Sequence, residues 1–283
     1  MRLATVADPA GTTTAAVQVR DGWYALPYAD LSVALRDAGW ADAAADVVRA
    51  AEAGATALTG VAPTLLLPSP TKVICAGLNY SEHILEMGRE LPEYPTLFAK
   101  FADTLTGPTD DIVVHEADAL VDWEAELTAV IGSELSRGTR EQAAAAIAGY
   151  TVANDVSLRD WQNRTIEFLQ GKAFDRTTPV GPILVTADEI DPKAGLEISC
   201  SVNGTVMQSG NTSTLVFDST ELVAYISQFT TLRPGDLILT GTPGGVGAGR
   251  SPQVFLRDGD LLTTTIEGIG SLENTYRHTP GEK

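Results

Sequence analysis

Three carboxylates at alternate positions are the feature of this sequence best suited to chemistry. Asp122, Glu124 and Glu126 occur in LVDWEAELTAVIG, and a strand would project all three to one face. A solvated acidic sheet edge is the alternative, but the apolar continuation TAVIG favours a cavity. A divalent cation such as Mg²⁺ or Mn²⁺ would remove the repulsion between them. Asp155, at the end of the apolar strand in AGYTVANDVSL, is a candidate third ligand.

A histidine and a glutamate three residues apart form a second candidate group. His83 and Glu86, in NYSEHILEMG, would be neighbours on a helical turn. A carboxylate beside an imidazole fixes its tautomer and raises its basicity, which suits a general base that activates water. An incidental pair on a surface helix is the alternative. His115 and His278 have no comparable partner.

The glycine-rich segment TGTPGGVGAG suggests an anion-binding loop. It lacks the Gly-Lys-Ser/Thr ending of a phosphate loop, and its glycine spacing does not match a dinucleotide-binding motif. The better interpretation is a tight loop after the strand DLILTG. Such a loop would bring backbone amides and Thr242 close to a small carboxylated ligand.

Charge and composition limit the classes of partner. The 283 residues are 44% hydrophobic and carry a formal net charge of -18. Such a surface repels nucleic-acid phosphates and anionic lipids, and no run of Lys or Arg offsets it. We therefore expect neither nucleic-acid nor membrane binding. An acidic substrate would need a cation and basic groups inside its pocket.

The cysteines and the N-terminal segment bear on location. Cys75 and Cys200 lie in apolar or strand-like settings without a CxxC partner, which predicts buried thiols in a reducing compartment. MRLATVADPAG has no apolar stretch long enough for a signal peptide, and no run approaches a membrane span. The expected location is the cytoplasm.

Strand-like segments dominate the chain after a proline-rich linker. Residues 1–70 predict a small N-terminal β module, an Ala-rich helical stretch and the linker. Residues 71–283 predict a catalytic domain, because nearly all the candidate site residues lie there. Its predicted strands vary in length and do not alternate regularly with helices. The expected class is α+β and β-rich, a mixed β-roll or barrel with peripheral helices, and not a doubly wound sheet.

Turn and cap signals locate further elements within the expected catalytic domain. Helices are expected at REQAAAAIA and FDSTELVAYISQF, with Ser219 as a cap for the second. Asn-Gly in SVNGTV and Asp-Gly in RDGDLL predict hairpins.

Eight ordered segments resemble the fumarylacetoacetate hydrolase family, and more narrowly its acylpyruvase-like branch. The resemblance runs from about Lys72 to the C-terminus. The segments are GLNYSEHILEMG, FAKFADTLTGP, VDWEAELTAVIG, GYTVANDVSLRDWQ, GKAFDRTTPVGP, VNGTVMQSGNTS, LRPGDLILTGTPGGVG and IEGIGSLENT. The resemblance implies a β-roll catalytic domain, usually dimeric, that binds Mg²⁺ or Mn²⁺.

The resemblance also implies roles for individual residues. Metal ligands would be Glu124, Glu126 and Asp155, with Asp122 in a supporting position. The catalytic dyad would be His83 and Glu86, in a lid. Contacts to substrate would come from Gln162, Lys172 and Thr242, with Lys172 also catalytic.

The function implied is metal-dependent hydrolysis of the carbon-carbon bond of a 2,4-diketo acid of the acylpyruvate type. In this mechanism His83 activates water, and Lys172 and the ion favour the leaving pyruvate enolate. Decarboxylation of oxaloacetate, and hydration or isomerisation of a 2-oxo acid, are alternatives on the same site. A non-catalytic metal-binding scaffold is a remote alternative. A homodimer acting on a small 2-oxo acid is the expected assembly.

Overall fold

Strands account for most of the regular structure in the computed structural model, which describes residues 1–81, 84, 90–116 and 119–279. The strands are β1 (Arg2–Ala7), β2 (Thr13–Val19), β3 (Gly22–Ala25), β4 (Ala62–Pro63), β5 (Val73–Gly77), β6 (Thr96–Lys100), β7 (Leu105–Thr106), β8 (Ile112–Val114), β9 (Val121–Asp122), β10 (Ala125–Ile131), β11 (Ile147–Asn154), β12 (Ser157–Leu158), β13 (Thr178–Thr186), β14 (Glu197–Val202), β15 (Thr205–Asn211), β16 (Leu237–Leu239), β17 (Leu261–Ile266) and β18 (Gly270–His278). The helices are α1 (Leu31–Arg36), α2 (Trp40–Glu52), α3 (Arg140–Ala146), α4 (Arg159–Gln162), α5 (Leu169–Lys172) and α6 (Ser219–Ser227), and single 3₁₀ turns cover Ala102–Thr104, Thr212–Thr214 and Gly247–Gly249. The predicted α+β, β-rich class with peripheral helices is confirmed.

A large sheet carries the strands that position the candidate site. Its order is β3-β2-β1-β13-β11-β10-β16-β5-β6, with β4 on β1 and β7 on β13. A five-stranded sheet has the order β15-β14-β17-β18-β8. Along the strands described, neither sheet closes into a barrel. Of the two forms expected from the sequence, a β-roll or a barrel, the barrel is therefore excluded.

Hydrophobic side chains on the two faces of the large sheet form separate clusters. In β16, Ile238 belongs to one cluster, and Leu237 and Leu239 belong to the other, as strand alternation requires. The first cluster joins the two sheets and includes Leu127 of β10 and Leu262 of β17. The second is covered by α1 and α2. The two cores therefore hold both faces of β10 and β16 in place.

Local signals fix several element ends. Helix α3 begins with a capping box of Thr139 and Gln142. For α6 the predicted cap, Ser219, is wrong: Asp218 is the cap, because its carboxylate accepts from the backbone N–H of Glu221. The Asn-Gly signal gives the predicted hairpin between β14 and β15. The Asp-Gly segment forms a turn before β17, but the residues directly before that turn are not in a strand, so the hairpin predicted there does not form.

The first seventy residues continue the large sheet. Strand β1 pairs antiparallel with β13, with Leu3 opposite Leu184. Helices α1 and α2 then pack over the face that includes Val73 and Leu239. The division into an N-terminal module (1–70) and a catalytic domain (71–283) stays a prediction, and the backbone pairing means that the two parts share one sheet.

Candidate metal centre and active site

Three carboxylates meet where β10 begins and β11 ends. One oxygen each of Glu124, Glu126 and Asp155 lies within 4.8 Å of the others. Antiparallel pairing brings them together, because Glu126 lies opposite Ala153 and Asp155 follows two residues later. The backbone N–H of Asp155 also donates to the Glu124 carbonyl at 2.8 Å. The cluster predicted from the sequence is therefore assembled in space, and its role as a metal site stays a prediction.

Asp122 does not join this cluster as strand alternation predicted. The strand is interrupted after Asp122, which ends β9, and β10 begins only at Ala125. The Asp122 carboxylate accepts from the backbone N–H groups of Gly247 and Ala248, at 2.6 and 2.9 Å, and from Arg159 Nε at 2.8 Å. Asp122 thus ties the glycine-rich loop to α4.

Three buried cations contact the cluster. Lys172 Nζ lies 2.8 Å from Glu124 Oε2 and 2.7 Å from Asp155 Oδ2. Lys100 Nζ lies 2.5 Å from Asp155 Oδ1, and both side chains are 0% exposed. Arg159 Nη2 lies 2.7 Å from Glu124 Oε1. Two of the three carboxylates are therefore held in place by charge-assisted hydrogen bonds.

The pKa values of the cluster are shifted in opposite directions. Burial raises the pKa of the Glu126 carboxyl well above its ordinary value, and the anions Asp155 and Glu124 raise it further. Burial also acts to raise the pKa of Asp155, but Lys100 and Lys172 outweigh it and hold that pKa low. Burial acts to lower the pKa of Lys172, and Asp155 and Glu124 outweigh it, so the ammonium stays protonated.

The donor set fits a hard divalent cation. Among the described residues, four carboxylates (the cluster and Asp122) face three cations, so ionisation of all four, Glu126 included, leaves a negative charge that a divalent cation would offset. Glu126 forms no ion pair with any described residue, and its carboxylate accepts a hydrogen bond from the backbone N–H of Gly241 at 2.8 Å. Carboxylate oxygens are the ligands that Mg²⁺ and Mn²⁺ prefer. Glu124, Glu126 and Asp155 are thus the residues that would hold such an ion.

A cavity of about 490 Å³ opens beside the cluster. Three residues predicted to contact substrate, Gln162, Lys172 and Thr242, line it together with Glu124 and Glu126. The other lining residues are Ala76, Gly77, Leu78, Phe98, Arg159, Asn163, Phe168, Val246, Ala248 and Gly249. The predicted ligands and substrate contacts therefore share one cavity, with Asp155 buried behind it.

The loop after β16 reaches this cavity because of strand pairing. Strand β16 is antiparallel to β10, with Leu239 opposite Thr128, so residues after β16 run towards the carboxylates. Gly241 has φ +101°, and a Cβ there would lie 2.9 Å from the Asn79 side chain. Only glycine fits this conformation without strain, and it directs the Gly241 N–H at Glu126.

The predicted dyad of His83 and Glu86 lies outside the described residues, so its place relative to the cavity stays a prediction. Earlier in the chain, Gly77 at the end of β5 and the following Leu78 line the cavity. Ser81 then donates to the Thr214 carbonyl at 2.9 Å.

Sequence reasoning missed two of the three cations. Lys100 ends the strand TLFAK, whose other four residues are not buried, so no local signal marked this lysine as a buried one. Arg159 stands in SLRDWQ, where only Gln162 was assigned a role. Both cations contact carboxylates distant in the chain, and such contacts cannot be obtained from local patterns.

Comparison with known proteins identifies the family. Residues 72–277 match the family model described as fumarylacetoacetate (FAA) hydrolase, C-terminal. The chain belongs to the fumarylacetoacetate hydrolase family. The family expectation is thereby confirmed, and the family's members among the relatives below are enzymes.

Relatives in this family differ in reaction. The human mitochondrial oxaloacetate tautomerase FAHD2A is 47% identical over 215 residues, which is 75% of this chain and 68% of the relative. The 5-carboxymethyl-2-hydroxymuconate delta-isomerase from Mycobacterium smegmatis is 34% identical, with a TM-score of 0.79 over 99% of this chain and 100% of that chain. Maleylpyruvate hydrolase from Sphingobium sp. SYK-6, in complex with manganese(II) ion and pyruvate, is 28% identical, with a TM-score of 0.80 over 98% and 99%. The enzyme class is confirmed at the level of this family, and the type of reaction is not.

The expected cytoplasmic location is contradicted. The human, rat and bovine oxaloacetate tautomerases, each 47% identical, are mitochondrial by name. The expectation rested on the lack of an apolar leader, but mitochondrial transit peptides are amphipathic and not apolar, so that criterion cannot separate the two compartments. Within the described ranges, no helix is long and apolar enough to cross a membrane.

Proposed function

We propose that this chain catalyses keto–enol tautomerisation of a small 2-oxo dicarboxylic acid, with oxaloacetate as the first candidate, using Mg²⁺ or Mn²⁺. The ion would be held by Glu124, Glu126 and Asp155. The observation that carries the proposal is the buried carboxylate cluster in contact with Lys172 at one wall of the cavity. The 47% identity to an oxaloacetate tautomerase supports the choice of substrate.

The cavity side chains suit stabilisation of an enolate. When bound, a divalent ion supplies a Lewis acid that favours enolate over ketone. Lys172 adds a fixed positive charge, and because its pKa is raised it acts as an electrostatic group and not as a general base. Gln162 and Thr242, which also line the cavity, offer uncharged hydrogen-bonding groups for a carboxylate.

Tautomerisation also needs a base that takes the proton from C3 and an acid that returns one to the oxygen on C2. We propose His83, oriented by Glu86, as the group that moves this proton, since an imidazole is neutral and basic near pH 7.

Hydrolysis of an acylpyruvate is the second candidate. It is supported by the fold shared with a maleylpyruvate hydrolase in complex with manganese(II) ion and pyruvate. Both reactions pass through a pyruvate-like enolate, so the same cluster and Lys172 would serve either. They differ in whether His83 activates water.

The discriminating experiment compares two substrates on one preparation. Enolic oxaloacetate is followed by ultraviolet absorbance and acetylpyruvate by pyruvate release, each with Mn²⁺, with Mg²⁺ and with chelator. We expect faster tautomerisation than with the ion alone, and no catalysis in chelator. Lys172→Met should lower kcat/KM by about 10²- to 10³-fold. Lys193→Met, at a lysine whose side chain is 73% exposed, is the matched control and should leave it unchanged.

Two outcomes would contradict the proposal. Full activity in chelator would remove the metal assignment. Fast pyruvate release from acetylpyruvate without accelerated tautomerisation would make hydrolysis the function.

The homodimer implied by the family resemblance stays a proposal. Light scattering of the purified chain tests it, and a mass near 29.8 kDa, that of a single chain, would contradict it.

A further inference from the structure

The Thr242 hydroxyl is held by a side chain from the second sheet. Gln208 lies on β15 and is 1% exposed. Its Oε1 accepts from the backbone N–H of Ala125 at 2.9 Å. Its Nε2 donates to Thr242 Oγ1 and to the Pro243 carbonyl, each at 2.8 Å. One amide thus joins the strand that carries the carboxylates to the loop after β16.

The partners of Gln208 determine which way its amide points. A backbone N–H can only donate, so the amide oxygen must face Ala125. A carbonyl can only accept, so the amide nitrogen must face Pro243. The two hydrogens on Nε2 are then used by Pro243 and Thr242.

This orientation determines the direction of the Thr242 hydroxyl. Its oxygen already receives a hydrogen from Gln208, so its own hydrogen must point to another acceptor. Among the residues that the structure describes, no protein atom accepts it, and Thr242 lines the cavity beside Glu124 and Glu126.

We infer that Gln208 is a positioning residue that makes the Thr242 hydroxyl a hydrogen-bond donor to an anionic oxygen of the bound 2-oxo acid. This inference rests on the proposed function, since it takes Thr242 as a substrate contact. Gln208 also holds Ala125 between Glu124 and Glu126, so the donor has a fixed place relative to the carboxylates.

The test reverses the hydrogen bond. Gln208→Glu keeps an oxygen for Ala125 but replaces the donor by an acceptor, so the Thr242 hydrogen turns away from the cavity. The probe is oxalate, a dianion shaped like a pyruvate enolate, titrated calorimetrically at saturating Mn²⁺. Gln208→Met, which adds no charge, is the second variant, and Mn²⁺ itself is titrated into each protein.

We expect Gln208→Glu and Thr242→Val each to weaken oxalate binding by on the order of 10- to 100-fold, the value of a hydrogen bond to a charged acceptor. Gln208→Met should weaken it less, since the hydroxyl can still rotate. In the Thr242→Val background Gln208→Met should add no more than about threefold, because contacting residues that act through one group are not additive. The charge added by Gln208→Glu repels oxalate in either background, so the double variant is made with Met. Mn²⁺ affinity should be retained.

Three results would overturn the inference. If the losses from Gln208→Met and Thr242→Val multiply in the double variant, Gln208 acts independently of Thr242. If Mn²⁺ binding falls in step with oxalate binding, Gln208 supports only the carboxylates. If the wild type binds no oxalate, Thr242 faces no anion. Failure to turn over oxaloacetate while oxalate binds would instead count against the proposed reaction alone.

Discussion

Replacing Lys100 by Met tests whether this lysine balances the charge of the cluster. Lys100 and Asp155 are both 0% exposed and their charged atoms lie 2.5 Å apart. Removing one partner of a buried pair leaves an uncompensated charge, which costs about 3 to 5 kcal/mol. Because Asp155 keeps Lys172 as a partner, we expect the lower end of that range.

The assay is urea unfolding in chelator and in Mn²⁺. The variant should lose stability in chelator, and Mn²⁺ should stabilise it more than the wild type, since the ion replaces the missing positive charge. The matched control is Lys72→Met. Lys72 also faces a buried aspartate, Asp236. The Lys72 side chain, however, is 22% exposed, and its Nζ lies 3.4 Å from the Asp236 carboxylate.

Lys72→Met should cost about 1 kcal/mol or less and should not change the Mn²⁺ effect, because Asp236 keeps backbone donors from Lys72 and Arg233. Equal unfolding midpoints for wild type and Lys100→Met in chelator would refute the reasoning. So would equal stabilisation of the two proteins by Mn²⁺.

Three further predictions concern other members of the site. The pKa of Glu126 is raised in the folded protein, so in chelator this residue stabilises the fold fully below its unfolded pKa of about 4.3. That stabilisation is lost as pH rises through the folded pKa of Glu126. Mn²⁺ needs the carboxylate, so calorimetric Mn²⁺ affinity should rise with pH across that window, and a flat profile would argue against Glu126 as a ligand. His83→Ala should lower oxaloacetate tautomerisation by about 10²- to 10⁴-fold and leave Mn²⁺ affinity intact, and near-normal tautomerisation would remove His83 from the mechanism. Asp122→Asn should destabilise the fold by about 3 kcal/mol in urea by weakening the pair with Arg159, with little change in Mn²⁺ affinity; the opposite pattern would make Asp122 a ligand.

The carboxylate cluster could be predicted because its signal is local. Glu124 and Glu126 alternate beside an apolar run, and Asp155 ends another, so each was a candidate ligand from its own strand, and the family resemblance grouped the three as one ligand set. The interruption of the strand was not predictable, because the alternation of LVDWEAEL continues across it. Asp122 was therefore placed on the wrong face by alternation alone.

The buried cations and Gln208 show why the rest of the site could not be obtained in this way. Lys100 meets Asp155 only after β5 pairs with both β6 and β16, which brings together residues 55 positions apart. Gln208 meets Ala125 only because the two sheets pack face to face. Each contact depends on the register of strands distant in sequence, and local periodicity contains no information on that register.

The charge of the site explains how an acidic protein can bind an acidic substrate. With a formal net charge of -18, the chain repels anions at long range. Without an ion, a protonated Glu126 leaves three carboxylates against three cations, so the site has no net positive charge with which to attract a 2-oxo acid. A divalent ion bound to all three carboxylates of the cluster makes the net charge of these groups positive, and Lys172 and the Thr242 hydroxyl, which both line the cavity, then face a dianion together with the ion. We therefore expect metal binding to strengthen substrate binding for electrostatic reasons, whichever reaction of the enolate follows.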